Sequence, residues 1–353
     1  MPQGVAIAVG GAPNAELAQL VNRIEVEERV GQATTFRIHC AVQISDGDFP
    51  LLTDSRFEPG TLISILVPAG QTTHCLVNGP VQGESIHLEH GEGSSTLEVR
   101  GSDQRIVMDR ETKVVSWDGL TDSDAVTAVL AGYGFIPAVD TTPARHDESG
   151  HTLVQRESDL HFVRRLAARN GFLFWLTSDE FGVQTAHFGR PPLGGDGDPE
   201  LIINLDSPNL NTLDIEWDVE RPTSVDAAQL DLRSKSDIDG AVSTTPNTVL
   251  GSEGLQDITG DTRSVHIAAP VDDGGDLQAR GEGALAAADW FIRATARTTL
   301  NSVGSLIRSH TLVKIRGAGS RHSGNYFVTA VRHLIDDSAH TMELELARNG
   351  WGA

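Results

Sequence analysis

Short stretches of alternating apolar and polar residues, each closed by turn residues, recur along the chain and constrain its fold more than any other feature. Arg23-Ile24-Glu25-Val26-Glu27 alternates, as does Phe36-Arg37-Ile38-His39-Cys40-Ala41-Val42. Period two is what a strand shows when one of its faces is buried. Ser45-Asp46-Gly47-Asp48 and Glu58-Pro59-Gly60 punctuate the series, as turn residues do. Thr61-Leu62-Ile63-Ser64-Ile65-Leu66-Val67, His74-Cys75-Leu76-Val77 and Ser95-Thr96-Leu97-Glu98-Val99-Arg100 extend it. Many short strands with close turns predict a barrel or sandwich over residues 1–103.

The pattern changes near residue 104. Thr121-Asp122-Ser123-Asp124 is a capping box, since Thr121 can accept from the Asp124 amide while Asp124 reaches back. The helix behind it carries Ala125, Val126, Val129 and Leu130 on one side, and Gly132 is placed to end it in the left-handed region. A second helix is expected from about Ser158, with Leu160, Val163, Leu166 and Ala167 at helical spacing and Asn170-Gly171 as its stop. Phe172-Leu173-Phe174-Trp175-Leu176 then reads as a buried strand, giving an α/β unit over 104–190.

Pro191-Pro192-Leu193-Gly194-Gly195-Asp196-Gly197-Asp198-Pro199 is the clearest linker signal. Its two aspartates are too few to hold calcium. Strands return at Leu201-Ile202-Ile203, Leu213 to Val219 and Ala228 to Leu232. A polar stretch, about 234–262, reads as an extended arm ordering against neighbouring subunits. A helix is expected over about 277–300, with Gly281 and Gly283 weakening its first turns. Leu312-Val313-Lys314-Ile315-Arg316, Tyr326 to Val331 and Met342 to Leu346 are β again, and the first of these reads as an exposed strand facing a ring or solvent. Residues 191–353 thus form a second β-rich unit. The expected class is mainly β with an α/β insertion (α+β).

Composition narrows the function. The formal net charge is −22, and a duplex-binding surface needs a basic face to displace counterions; no nucleic-acid binding is expected. No apolar run reaches the roughly eighteen residues of a membrane span, and no basic segment precedes the short apolar stretch at the N-terminus. Neither stable membrane insertion nor a secretion signal is expected. The two cysteines, Cys40 and Cys75, each follow a histidine, His39 and His74. Adjacent strand residues point to opposite faces, so each pair offers one metal ligand per side. Buried thiols are the plainer reading. His87 and His90 face opposite sides of one strand, and His146, Asp147, Glu148 and His151 read as a flexible polar loop. No nucleophile elbow, P-loop or zinc-protease motif occurs. No catalytic, cofactor-binding or metal residue is therefore assigned, and no cofactor is expected.

Three segments, in order, carry a resemblance. The first is Asn78-Gly79-Pro80-Val81-Gln82-Gly83 with Ser95 to Asp103. The second runs from Gly119-Leu120-Thr121 through Tyr133-Gly134-Phe135 to Arg156-Glu157-Ser158-Asp159-Leu160 and Gly171-Phe172. The third is Gly317-Ala318-Gly319, Gly324-Asn325-Tyr326-Phe327-Val328 and Ala347-Arg348-Asn349. Over nearly its whole length the chain resembles the phage late control gene D family, which includes the hub part of VgrG spike proteins. The resemblance implies two related β-barrel-like domains joined by the α/β domain. It also implies a non-enzymatic homotrimeric ring that joins a threefold central spike to a sixfold inner tube. The partners it implies are the spike protein, the inner tube or tube-initiator protein, and other baseplate subunits. VgrG proteins continue beyond the hub, whereas this sequence ends at Ala353; a hub whose spike is a separate chain is the expectation. Such a protein would be made in the bacterial cytoplasm and built into a phage tail, tailocin or extracellular injection particle. The competing readings are a cell-wall or glycan hydrolase with a β-rich accessory domain, and an array of carbohydrate-binding modules.

Overall fold

The computed structural model describes residues 4–352 apart from 46, 91–94, 147–151, 232–234, 269–270 and 272–273. Strand Ala6–Val9 (β1) leads into helix Ala15–Leu20 (α1), whose Asn14 cap accepts from the Leu17 amide at 2.9 Å. Five strands follow: Val21–Arg29 (β2), Thr35–Ala41 (β3), Leu62–Ala69 (β4), Thr72–His87 (β5) and Thr96–Ser102 (β6). The middle of the chain holds Thr112–Trp117 (β7), Asp122–Ala131 (α2), Ile136–Val139 (β8), Leu153–Ser158 (β9), Asp159–Arg169 (α3), Leu173–Ser178 (β10) and Gln184–Gly189 (β11). After it come Glu200–Ile202 (β12), Leu210–Trp217 (β13), Ser224–Asp231 (β14) and Ser236–Asp239 (β15). Leu255–Thr259 (α4), Ser264–Ile267 (β16) and Gly274–Ala288 (α5) lead to Ile292–Thr299 (β17), Leu312–Arg316 (β18), Gly324–Asp336 (β19) and His340–Arg348 (β20).

The chain is mainly β, with a large, mostly antiparallel sheet. Its spine runs β8-β11-β10-β5-β6-β3-β2-β19-β20-β17-β13. β4 and β1 add to the first half of β5, and β18 and β12 to the first half of β19. Alternation places Ile24, Val26, Phe36, Ile38, Leu97 and Val99 in one core. Ile292, Val313, Ile315, Val328, Leu344 and Leu346 lie in another. A third core unites α2 and α3 with β10 and β11 through Val126, Leu130, Phe162, Val163, Phe174 and Phe188.

The two β-rich regions are built on one plan. Strands β2 to β6 lie in the order β4-β5-β6-β3-β2, and β13 with β17 to β20 in the order β18-β19-β20-β17-β13. Each set keeps the same chain order. Irregularities recur at matching places. The register shifts between Val21 and Arg23 on β2 and between Leu210 and Thr212 on β13. It shifts again between Val81 and Gly83 on β5 and between Val328 and Ala330 on β19. Matching the registers sets Val21-Asn22-Arg23-Ile24-Glu25-Val26-Glu27 against Leu210-Asn211-Thr212-Leu213-Asp214-Ile215-Glu216. Thr61-Leu62-Ile63-Ser64-Ile65 then matches Thr311-Leu312-Val313-Lys314-Ile315, and Thr96-Leu97-Glu98-Val99 matches Thr341-Met342-Glu343-Leu344. β-Bulges are designed features rather than accidents, so shared bulges with shared residues identify an internal duplication.

Several expectations need correction. The helix expected over 277–300 is α5 and ends at Ala288; residues 292–299 are β17, with Ile292, Ala294, Ala296 and Thr298 inward. The alanines there favour helix locally, but pairing on both sides with β13 and β20 overrides that preference. The stretch 234–262 is no free arm. Its first residue lies outside the described set, and the rest packs on its own chain. β15 pairs with β14, Val242 and Leu255 are buried, and the Asn247 side chain donates to the Ala286 carbonyl at 3.0 Å. Strand 312–316 is buried rather than exposed, held between β12 and β19. Gly132 is right-handed with φ −65, and the left-handed residue is Gly134. The helix stop at Gly171 holds, with φ +65.

Gly281 and Gly283 do not merely weaken α5, because they let it approach its neighbours. A Cβ on Gly283 would lie 2.7 Å from the Gly171 amide nitrogen, where α5 crosses the end of α3. Gly283→Val is expected to lower stability by about 1–3 kcal/mol through overpacking, read as a drop in thermal midpoint against wild type.

Candidate functional site: the seam between the sheet halves

The two duplicated halves meet where β2 pairs antiparallel with the distal half of β19, from Arg29 opposite Ala330 to Arg23 opposite Asp336. Residues of both strands that point inward here are fully enclosed: Ile24, Val26, His333 and Ile335 are each 0% exposed. Ile335 belongs to the first half's core although it sits on the second half's strand.

A buried carboxylate lies at the centre. Glu28 Oε1 accepts from Arg308 Nε at 2.5 Å and Oε2 accepts from the Ser309 amide at 3.0 Å. Arg308 also donates to the carbonyls of Cys75 and Leu76, at 2.9 and 3.1 Å, tying the loop before β18 to β5. Burial would raise the Glu28 carboxyl, but Arg308, His333 and the Ser309 amide together outweigh it and hold the group down at about 2. His333 Nε2 stands 3.8 Å from Glu28 Oε1, too far for a hydrogen bond. His333 Nδ1 lies 3.0 Å from His340 Nε2, within hydrogen-bond distance. Burial lowers both rings, His340 to about 3.

An aromatic stack braces the middle unit against this seam. Trp175 on β10 lies between His187, 4.7 Å away, and His310, 4.6 Å away, both nearly parallel to it. His310 precedes β18, is lowered to about 3 by burial, and donates its amide to the Val328 carbonyl at 3.0 Å. Beneath the stack, buried Arg105 donates to Asp103 at 2.6 Å and to the Phe174 carbonyl at 3.1 Å.

The opposite face of the sheet is polar and of mixed charge. Arg29 grips Glu345 with two bonds of 2.6 and 2.7 Å, and Glu25 accepts from Arg332 at 2.8 Å. These pairs are partly solvated, so each adds little stability. They give the face a continuous charged texture along β2, β19 and β20.

The titratable groups singled out from sequence do not converge. Cys40 and Cys75 are buried free thiols on β3 and β5. His39 lies beside Glu25 and Glu98, while His74 meets Thr72. His87 and His90 are exposed. His146 is not on a flexible loop: it is 0% exposed, with Nε2 2.8 Å from Asp122 Oδ1, next to Arg169 and Asn170. Asp147, Glu148 and His151 lie outside the described residues. At the start of α3, buried Asp159 accepts from Lys113 at 2.5 Å, Tyr133 at 2.6 Å and Gln155 at 2.7 Å. Burial works against ionisation of Asp159, yet these three donors lower its carboxyl. The Arg156-Glu157-Ser158-Asp159 segment thus fixes how β9 turns into α3. Among the described residues, no group of three or more His, Cys, Asp or Glu side chains is placed to hold a metal ion. No described helix is long and apolar enough to cross a membrane.

The model of the family described as the Alg8 N-terminal domain matches residues 3–337. The chain belongs to that family. A comparison with curated proteins gives no match. Among solved structures, this Alg8 N-terminal domain chain resembles the tail protein from Neisseria meningitidis MC58, with 17% identity over 98% of this chain and 96% of that one, at a TM-score of 0.68. It resembles the 43 kDa tail protein of prophage MuSo2 from Shewanella oneidensis, with 16% identity over 98% of each chain and a TM-score of 0.66. It also resembles the Escherichia coli c3393 protein, a component of the type VI secretion system with structural similarity to the T4 bacteriophage tail proteins gp27 and gp5. There the identity is 13%, over 98% of this chain and 79% of that one, with a TM-score of 0.60. The whole chain therefore has the fold of phage tail proteins and of a type VI secretion component.

The seam of this Alg8 N-terminal domain chain should be acid-sensitive. Buried His340 keeps its proton off until about pH 3, whereas an unfolded histidine binds one near 6.5. Stability is lost as pH falls below 6.5, by about 2 kcal/mol at pH 5 from this ring alone. Thermal midpoints measured from pH 7 to 5 should fall in the wild type and fall less in His340→Gln. Glu28 contributes in a lower window, from its unfolded value near 4.5 down to about 2. Glu28→Gln leaves half-buried Arg308 without its counter-charge and should cost about 1–3 kcal/mol at pH 7, read by chemical denaturation.

Proposed function

We propose that this chain is the central baseplate hub of a contractile phage-tail-like particle, a structural subunit working as a homotrimeric ring between a threefold spike and a sixfold inner tube. The observation that carries this reading is the internal duplication. Three copies of a chain holding two matched sheets offer six near-equivalent surfaces on one side while keeping threefold symmetry on the other. A cyclic ring of identical chains is an ordinary closed assembly.

On this reading residues 1–103 and 191–353 are the two hub domains, each curling its strands around its own apolar core in a barrel-like way. Residues 104–190 are the α/β domain that braces them through the Trp175 stack. The segment 234–262 belongs to the second hub domain as an internal strap. The spike, the tube or tube initiator, and other baseplate subunits are the partners, and the role is scaffolding rather than catalysis. The fold shared with tail proteins over 98% of the chain supports the assignment.

Sedimentation and native mass measurement of the full chain should give a trimer. Co-purification from cells expressing tube and spike proteins should retain both. A chain that stays monomeric alone and in their presence would overturn the proposal.

A further inference from the structure

The duplicated sheets leave two strand edges without a neighbour among the described residues. The distal half of β5, residues 83–87, pairs only with β6, and β13 pairs only with β17. The matched registers show what each edge lacks. β5 corresponds to β19, and β13 corresponds to β2. Within the chain, β19 and β2 pair with one another. The same junction can therefore form a second time only between copies. We propose that β13 of one copy pairs antiparallel with residues 83–89 of a second copy, reproducing the β2–β19 seam residue for residue.

The register follows without adjustment. Val26 opposite His333 becomes Ile215 opposite Ile86, and Ile24 opposite Ile335 becomes Leu213 opposite Leu88. Glu25 opposite Leu334 becomes Asp214 opposite His87, and Glu27 opposite Arg332 becomes Glu216 opposite Ser85. On the core side two positions thus join apolar residues and the third sets Trp217 opposite Glu84, while a carboxylate meets a histidine on the polar side. A one-residue slip would move every one of these side chains to the wrong face.

Exposure supports the same pairing. At the internal seam Ile24, Val26, His333 and Ile335 are all 0% exposed. At the open edges Ile86 and Leu88 are 41% and 52% exposed, and Leu213 and Ile215 are only half-buried. An apolar strand edge left open invites pairing, and a matched edge on the same molecule supplies the partner. The contact is head-to-tail, which yields a closed ring when the rotation between copies closes. This inference rests on the ring reading above and specifies how the ring is joined.

Residues directly opposite in an antiparallel pair have spacings that suit a disulfide. In one chain Ser85 and Glu216 lie on strands separated by six others in the sheet. Mild oxidation of the full-length Ser85→Cys/Glu216→Cys protein should therefore give cross-linked species on a non-reducing gel that end at the trimer. Ser85→Cys/Asp214→Cys, displaced by two residues, should cross-link at least tenfold more slowly. Ile86→Lys should abolish assembly while leaving the circular-dichroism melt of the single chain unchanged. A trimer by sedimentation that does not cross-link at 85/216, or that prefers 85/214, overturns this register and leaves the hub reading standing. A protein that remains monomeric overturns both.

Discussion

The antiparallel pairing of β2 with β19 is the interaction on which this molecule depends. Without it the two duplicated sheets would be separate bodies, each with a raw edge. With it they form one continuous sheet, and Ile335 from one half completes the core of the other. The long strand β19 makes this possible because it serves β18 with its first half and β2 with its second, turning at the Val328/Ala330 irregularity. β5 has the matching form, serving β4 first and β6 second around Val81/Gly83.

The seam is not purely apolar, and the reason is physical. A buried carboxylate and guanidinium gain little net stability over well-packed apolar groups, since both must leave water. They are demanding about geometry instead. Glu28, Arg308 and Ser309 are satisfied together only when β2, β19 and the loop before β18 are in place, and Arg308 extends the requirement to β5 through two carbonyls. The Trp175 stack adds the middle unit to the same constellation. Three regions distant in sequence are thus ordered around one small site.

Much of this was legible in the sequence. The period-two segments around Ile24, Ile38, Ile63 and Val99 became strands, and the Thr121 capping box and the Gly171 stop bracket their helices as expected. Where the reading failed, tertiary pairing had overridden local preference. Ala294 and Ala296 favour helix in isolation, yet they fill the narrow space of a central strand. Polarity made 234–262 resemble a free arm, although Val242, Asn247, Leu250 and Leu255 anchor it. The duplication is written in the residues, in Val21-Asn22-Arg23-Ile24-Glu25 and Leu210-Asn211-Thr212-Leu213-Asp214. It was hidden because the second set is interrupted between β13 and β17 by some seventy residues of unmatched structure. The seam cluster had no local signature, since Glu28, Arg308, His333 and His340 come together only through strand pairing.

One difference between the halves has a wider consequence. At the place where β2 carries Glu28, β13 carries Trp217. If β13 of any copy took the place of β2 on β19, Arg308 would face an indole and lose its counter-ion. Conversely, β2 placed on the free edge of β5 would bring its own charge against Glu84. In the proposed ring this carboxylate therefore opposes any exchange of the internal joint for the external one. Sister strands with nearly the same sequence thus differ at the one position where a misplaced partner would strand a charge.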